Sequence, residues 1–130
     1  MAYGSALVDT IQSSTTGTPV QFNDGSGTQI GTLCRAWVNF NGNSGSVAIR
    51  ASFNVTSVTR ISTGTYSFSF TNSLTDANYS VVGDCGTGAS NNYNVSTNYS
   101  SANTTTTCYV GTFNAAGSVD ATYISVAIFR

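Results

Sequence analysis

Few residues of this chain could do acid–base or nucleophilic chemistry. The chain has 130 residues and contains no His, Lys or Glu. The ionisable side chains that remain, apart from tyrosine, are Asp9, Asp24, Asp76, Asp84, Asp120, Arg35, Arg50, Arg60, Arg130, Cys34, Cys85 and Cys108. Without His there is no Ser–His or Cys–His pair to activate a nucleophile, and without Lys there is neither a Schiff base nor a P-loop. We therefore predict no hydrolase activity.

The aspartates leave one catalytic arrangement open, a pair of carboxylates. Glycoside hydrolysis needs two positioned carboxylates, and Asp84 in a predicted loop could meet Asp120 at the start of a predicted strand. Asp residues at turns and strand ends are usually structural, and we favour that interpretation. Asp76 and Asp84 could also hold calcium with backbone carbonyls, but EF-hand spacing is absent. We expect no catalytic residue, metal or cofactor, and keep a polysaccharide-cleaving enzyme as the weakest alternative.

The three cysteines do not form a complete set of intrachain disulfides, because their number is odd. Their spacing matches no zinc site, and no His is present to complete one. Two interpretations stay open. The first is three free thiols that pack as small hydrophobes. The second is a bridge between Cys85 and Cys108.

Charge is unusually sparse: charged residues make up 7% of the chain and the net charge is −1. Neither nucleic acid nor an anionic membrane is an expected partner for such a surface. The sequence has no signal-peptide pattern, and no apolar run approaches the about 20 residues of a membrane helix, so we expect no membrane insertion. Low charge also gives little repulsion between molecules, which suits a protein that works in an assembly.

A β-hairpin is predicted between residues 34 and 55. Its second half alternates, with Val47, Ile49, Ala51, Phe53 and Val55 on one side of an extended strand. Asn41-Gly42 between the halves is a turn signal, because both residues tolerate positive φ. We expect the large side chains of Trp37 and Phe53 to lie in the core and the hairpin to nucleate folding.

The remaining segments also predict strands. Residues 65–71 place Tyr66, Phe68 and Phe70 on one face, whereas residues 56–61 are expected to be irregular and residues 83–92 to form a long exposed loop. The last strand is apolar on both faces from residue 124 to 129. The chain therefore predicts an all-β fold without significant helix, an antiparallel β-sandwich or jelly-roll-like barrel of about seven to nine short strands. Residues 34–130 would form this domain, and residues 1–33 an arm with one or two short strands.

Five short motifs follow one another along residues 34–130. They are Ala-Trp-Val-Asn-Phe-Asn-Gly (36–42), Val-Ala-Ile-Arg-Ala-Ser-Phe-Asn-Val (47–55), Gly-Thr-Tyr-Ser-Phe-Ser-Phe (64–70), Asp-Ala-Asn-Tyr-Ser-Val (76–81) and Ile-Ser-Val-Ala-Ile-Phe (124–129). In this order they resemble the C-terminal or tip domain of tail-fibre-like and related virion surface proteins of tailed bacteriophages.

The resemblance implies a non-enzymatic structural protein on the virion surface, assembled in the host cytoplasm. A tail-fibre or tail-tip component that binds the host surface is the expected function, and the alternative is a capsid decoration (cement) protein or head fibre. Domains of this type are usually trimers, so a homotrimer is expected. A reducing cytoplasm also favours free thiols at Cys85 and Cys108. The arm of residues 1–33 is either a peripheral extension or a docking segment for another virion protein.

Two surfaces are predicted from these considerations. The first surface combines aromatic rings with amide side chains, a combination that suits sugar binding. Host cell-surface polysaccharide is therefore its expected ligand. It comprises Asn91, Asn92, Tyr93, Asn98 and Tyr99, for which an ordinary polar sheet edge stays the alternative. The second surface is the oligomer interface, because a sandwich buries only one face of each strand. It comprises Ile124, Val126, Ile128 and Phe129.

Overall fold

The computed structural model describes residues 8–12, 14, 20–88, 93–97 and 101–130. Within these residues the chain forms eleven strands and no helix, which confirms the predicted all-β fold. The chain divides into two compact units, residues 1–33 and residues 34–130. The strand number exceeds the prediction because several strands are only two to four residues long.

The first unit contains one small hairpin. Strand β1 (Phe22–Asn23) pairs antiparallel with β2 (Gln29–Gly31). Asp24 organises the turn between them, since its Oδ1 accepts hydrogen bonds from the backbone N–H groups of Ser26 and Thr28, both at 2.9 Å. Hydrogen bonding, first of all from the Ser26 hydroxyl, lowers the pKa of Asp24. Among the described residues of this unit, five large apolar side chains are exposed: Val8, Ile11, Phe22, Ile30 and Leu33.

The second unit contains a four-stranded antiparallel sheet in the order β4-β3-β11-β7. Its strands are β3 (Cys34–Asn41), β4 (Ala48–Phe53), β7 (Ser80–Gly86) and β11 (Tyr123–Phe129). The pairing of β3 with β4 confirms the predicted hairpin. Strands β3 and β11 are central, so the side chains that they carry have fixed neighbours on both sides.

The same unit contains a five-stranded antiparallel sheet. Strands follow the order β10-β9-β6-β5, and β8 also pairs with β9. Their bounds are β5 (Val55–Ser62), β6 (Thr65–Phe70), β8 (Asn94–Thr97), β9 (Thr107–Asn114) and β10 (Gly117–Ser118). One hydrophobic core joins the two sheets, as in a β-sandwich.

The core is built from alternate residues of the central strands. Strand β6 contributes the predicted aromatic face, Tyr66, Phe68 and Phe70, all buried. The ring of Phe40 from β3 meets the ring of Tyr66 edge to face, with their centroids 5.3 Å apart. Such contacts between rings of facing sheets stabilise the sandwich beyond the area that they bury. The same face of the four-stranded sheet contributes Ala36, Val38, Ile124, Val126 and Ile128.

The predicted core positions of Trp37 and Phe53 are wrong. Because Ala36, Val38 and Phe40 point inward, period-two alternation turns Trp37 to the outer face of the sheet. Trp37 is 39% exposed, and its register partner Phe53 is 55% exposed. Strand β3 of the hairpin is central and buries Phe40, but Trp37 and Phe53 lie at the surface.

Two further expectations about segments are also corrected. Residues 56–61 are not irregular, because they belong to β5, which pairs with β6. Residues 83–86 are not part of a loop, because β7 extends to Gly86 and pairs with β11. Asp84 therefore lies on a strand, directly opposite Ser125.

Candidate binding surface

The outer face of the four-stranded sheet carries an apolar row that crosses all four strands. Trp37 pairs in register with Phe53 on one side and with Ala127 on the other. Ala127 in turn pairs with Val82, which is 59% exposed. Directly opposed residues on one sheet face have Cβ atoms about 5 Å apart, so these side chains are neighbours.

A polar row runs beside the apolar one, two residues further along each strand. Asn39 is the register partner of Ser125, and Ser125 is the partner of Asp84. Asn39 Nδ2 donates a hydrogen bond of 2.7 Å to Ser125 Oγ. Two residues advance a strand by about 6.7 Å, which sets the separation of the rows. The amide of Asn39 and the hydroxyl of Ser125 therefore lie beside the position of Trp37, and the carboxylate of Asp84 lies one strand further, on β7.

A shallow groove of about 460 Å³ is lined by residues of both rows. Its position on the three strands β3, β11 and β7 gives it a floor of hydrogen-bonded sheet. The side chains that line it on the outer face are Trp37, Asn39, Val82, Asp84, Ser125 and Ala127. Because these side chains project from paired strands, the groove exists without any rearrangement of the backbone.

The charged side chain of Arg50, beyond the polar row, already contacts other residues of the chain. The guanidinium carbon of Arg50 stands 4.6 Å from the centroid of the Tyr123 ring. Its Nη2 donates a hydrogen bond of 2.8 Å to the Thr122 carbonyl oxygen. This arrangement anchors the edge strand β4 across the sheet to β11. Arg50 is not among the residues that line the groove.

Asp120, one of the two carboxylates that the sequence left open as a pair, belongs to a structural cluster, which is the interpretation that we favoured. Both of its oxygens accept from Arg60 Nε at 3.0 Å, and Oδ1 also accepts from the Gly64 amide and the Tyr66 hydroxyl, at 2.8 and 2.9 Å. Burial alone would raise the pKa of Asp120, but the hydrogen bonds from Arg60, Gly64 and Tyr66 lower it. Burial, and then Asp120, raise the pKa of Tyr66, which remains a donor. The one proton of the Tyr66 hydroxyl is shared between Asp120 and the Gly42 carbonyl oxygen, which lies 2.8 Å from the hydroxyl oxygen. This contact ties the cluster to the end of β3.

The two carboxylate pairs that the sequence left open are not seen in the structure. Asp120 is occupied by its cluster, while Asp84 lies on the outer face of the other sheet. Asp76 forms an ion pair with Arg130, so it does not join Asp84 in a calcium site. No group of three or more potential metal ligands occurs among the residues that the structure describes. In the same residues, no helix has the length and apolarity needed to cross a membrane.

The three cysteines are free, in agreement with the thiol interpretation. Burial, with a smaller contribution from Asp84, raises the pKa of Cys85 to about 11. Burial raises the pKa of Cys108 to about 12, although a hydrogen bond with Tyr79 opposes the shift. Thiols with such pKa values are not nucleophiles near neutral pH. Cys34, the third thiol, is half-buried.

Most of the predicted loop surface lies outside the described residues. Asn91, Asn92, Asn98 and Tyr99 belong to this group, so their part in binding stays a prediction. Tyr93 is described, and the structure places it half-buried against the hydrophobic core. Its ring therefore contributes to the packing of the core.

The predicted oligomer interface is corrected for three of its four residues. Ile124, Val126 and Ile128 are 0%, 3% and 0% exposed, because they face the core of their own chain. Only Phe129 lies on the other face of β11, where it is half-buried. The outward residues that accompany it are Tyr123, Ser125 and Ala127, so this strand is not apolar on both faces.

Sequence reasoning missed the groove because it assigned its members to other places. Trp37 was expected in the core, and Asp84 was expected in a loop. The signal that finds them is the alternation of β3: once Ala36, Val38 and Phe40 are inside, Trp37 and Asn39 share the outer face. Only the register of β11 with its neighbours adds Ser125 and Asp84.

No protein-family model matches the chain, and no curated protein or solved structure matches it either.

Proposed function

We propose that this chain is a non-enzymatic structural protein on the surface of a tailed-phage virion, where it acts as a tail-fibre or tail-tip component that binds the host surface. The motifs that carry the resemblance coincide with strands of the sandwich, among them β3, β6 and β11. They are therefore segments that define the fold, and the proposed assignment to the phage proteins rests on their order along the chain.

The observation that carries the binding role is the outer face of the four-stranded sheet. Trp37 and Phe53 stand side by side there with 39% and 55% of their surface exposed. Exposed aromatic side chains in an apolar row beside a groove are typical of a surface that contacts a ligand or partner. The groove lies on paired strands, and such a rigid platform suits repeated attachment to a fixed external structure.

The N-terminal unit supports a place in a larger assembly. Its described residues leave five large apolar side chains exposed, of which Ile30 is 70% and Ile11 is 63% accessible. A two-stranded hairpin is marginally stable by itself, so such a unit gains stability from a partner. In the proposed function residues 1–33 dock onto another virion protein. The homotrimer expected from the resemblance remains part of the proposal, with contacts other than Ile124, Val126 and Ile128.

A capsid decoration protein or head fibre is the second candidate. The exposed apolar side chains of residues 8–33 favour it. A protein that only covers the capsid needs a segment that docks onto the shell, and it needs no host-binding surface. The two candidates differ in what the sheet groove does. A decoration protein does not need Trp37 to contact a ligand, whereas an attachment protein depends on an exposed binding surface such as this groove.

Immunogold electron microscopy of the phage that encodes the chain tests the assignment. An antibody raised against the purified protein is expected to label the tip or fibres of the tail. Label spread over the head would establish the decoration alternative. Particles that carry no label, and whose peptides lack this chain in mass spectrometry, would contradict both virion functions.

A further inference from the structure

We infer that the groove on the outer face of the four-stranded sheet binds an uncharged polysaccharide laid across the strands, with Trp37 stacked on a sugar ring and Asn39, Ser125 and Asp84 bonded to its hydroxyls. This inference deepens the proposed function and rests on it only for the source of the polysaccharide, the host surface. The binding chemistry itself depends on the groove alone.

Trp37 provides the stacking surface. It is 39% exposed although it sits on a central strand, and its neighbour across β11 is the small side chain of Ala127. A small neighbour leaves room above the sheet beside the indole. The faces of aromatic rings attract the weakly positive C–H groups on one side of a sugar ring, so the indole and a pyranose fit face to face. Phe53, on the other side of Trp37, extends the apolar row toward β4.

The polar row supplies the complementary hydrogen bonds. Asn39 uses one N–H on Ser125, and its amide has a second N–H and a carbonyl oxygen to offer. Asp84 Oδ1 accepts from the Cys85 amide at 2.9 Å, and a carboxylate has further lone pairs for hydroxyl donors. Ser125 between them both donates and accepts. A ring stacked on Trp37 would therefore find donors and acceptors along the edge that faces the polar row.

The direction of the ligand follows from the direction of the rows. Both rows run across the strands, and the apolar one extends from Phe53 on β4 to Val82 on β7. Three strand spacings cover about 14 Å, which is long enough for a short stretch of sugar chain. A polymer that lies in the groove would thus meet the apolar row on one side and the polar row on the other.

Charge decides between uncharged and acidic sugars. Asp84 is the one ionisable side chain that lines the groove, so an acidic sugar would meet a like charge there. Arg50 does not neutralise the charge of Asp84, because the Arg50 guanidinium is stacked on Tyr123 and bonded to the Thr122 carbonyl. A hydroxyl-rich uncharged ring, in contrast, gains a charge-assisted hydrogen bond from the same carboxylate.

A second copy of the chain is the competing occupant of this face. Packing of two such faces would remove Asp84 from water. A carboxylate buried without a committed cation costs more than the apolar row can readily offset. A sugar leaves Asp84 partly solvated and uses its lone pairs, so the polar row favours the sugar.

The fluorescence of Trp37 reports on the groove directly, since Trp37 is the only Trp of the chain. We would titrate the full chain with dextran, mannan and galactan, and with the carboxymethylated form of each. At least one uncharged polymer is expected to shift the emission and to retard the protein in an affinity gel. Its carboxymethylated form, matched in backbone, is expected to bind about tenfold more weakly.

Variants locate the binding. Trp37→Ala is expected to weaken retardation about tenfold, and Trp37→Phe to restore part of it. Asp84→Asn keeps an oxygen for the Cys85 amide and is expected to weaken binding about tenfold, since it loses the charge. Phe113→Ala is the matched control, because Phe113 is 37% exposed on the other sheet. Its retardation should equal that of the unaltered chain.

Three results would overturn the inference: no uncharged polymer binds, the carboxymethylated polymers bind as tightly, or Phe113→Ala loses as much binding as Trp37→Ala. A mass by light scattering that falls only in Trp37→Ala would assign the face to a second copy instead. If no polysaccharide binds but the gold label marks the tail, the inference about the groove is wrong and the proposed function is unaffected. Polysaccharide binding by a chain that is absent from virions would support the inference about the groove and contradict the proposed function.

Discussion

Trp37 on β3 and Ser125 on β11 lie on the same outer face of one sheet, one row apart, while their strand neighbours Val38 and Ile124 are buried beneath them. The strands that build the core therefore also carry the groove. Because every second residue points to each face, the sandwich needs only the inner set for its stability. The outer set is left to contact a ligand.

We predict that the outer aromatic side chains contribute little to stability. Trp37→Ala and Phe53→Ala should each lower the free energy of unfolding by about 1 kcal/mol, since both are partly exposed members of a cross-strand pair. Phe68→Ala, which empties a fully buried position, should cost about 3–5 kcal/mol. Urea unfolding followed by circular dichroism measures all three. A larger loss for Trp37→Ala than for Phe68→Ala would mean that the two faces of the sheet are assigned the wrong way round.

Gly42 is predicted to accept no larger residue. A Cβ atom there would lie 2.5 Å from Ile124 Cδ1 and 2.7 Å from the Ala121 carbonyl oxygen. Gly42→Ala should therefore lower the free energy of unfolding by about 1–3 kcal/mol, the usual cost of overpacking. Gly25→Ala is the control, because a Cβ at Gly25 meets nothing within 4 Å. Equal melting temperatures for the two variants would refute the close approach of the hairpin turn to β11.

The Asp120 cluster predicts a loss of stability in acid. Its hydrogen bonds hold the pKa of Asp120 below the ordinary value of about 3.9, despite burial. A carboxyl with a lowered folded pKa contributes stability that is complete above its unfolded pKa and is lost as the pH falls through the folded pKa. Unfolding free energies measured from pH 6 downward should therefore decline below about pH 4.

Asp120→Asn separates this cluster from the other acidic groups. The variant should be less stable near pH 6 and show a shallower decline in acid, because the titrating carboxyl is gone. Asp76, whose pKa its hydrogen bond with Arg130 lowers, is more exposed, so Asp76→Asn should change the decline less. An acid profile of Asp120→Asn that parallels that of the unaltered protein would rule out the cluster as its origin.

Thiol labelling is predicted to distinguish the cysteines. At pH 8 iodoacetamide should modify Cys34 in the folded protein and leave Cys85 and Cys108 unmodified, because these two are buried and their pKa values are raised to about 11 and about 12. In denaturant without reductant all three should react, as mass spectrometry would show. A denatured chain that takes up a single label, located on Cys34, would instead establish the Cys85–Cys108 bridge.

The sequence was sufficient for the all-β fold and for several elements because their patterns are local. The Asn41-Gly42 signal with its flanking runs predicted the β3–β4 hairpin, although the positive φ lies at Gly45 and Asn41 still belongs to β3. The alternation around Phe68 predicted β6 and its buried face. These features depend on neighbours in the chain. Chain-wide composition, without helix-like periodicity, supplied the fold class.

The side of the sheet on which Trp37 and Phe53 lie could not be predicted from alternation alone. Along β4 the period-two pattern places Ile49 and Phe53 on one face. The pairing with β3 contains a bulge between Asn39 and Phe40, so that Ile49 opposes the inward Phe40 while Phe53 opposes Trp37. A bulge of this kind reverses the faces of the following residues and leaves no mark in the pattern of one strand.

The groove was beyond the sequence for a second reason. Asn39, Ser125 and Asp84 are far apart in the chain and become neighbours through the order β3-β11-β7. The glycines around Asp84 suggested a loop, yet Gly83 belongs to β7, where it pairs with Val126 of β11. Val95 packs against Gly83, where a larger side chain would not fit. Pairings between distant strands, rather than local propensity, assemble this site.

The most direct test of the account measures attachment of whole phage particles to host cells. Particles that carry Trp37→Ala in this chain should assemble with unaltered protein content, because Trp37 lies outside the core, yet adsorb to host cells much more slowly than the parent phage. Particles that carry Phe113→Ala, a change of similar exposure on the other sheet, should adsorb at the parental rate. Parental adsorption by the Trp37→Ala particles would contradict the claim that this chain attaches the virion to its host through the groove.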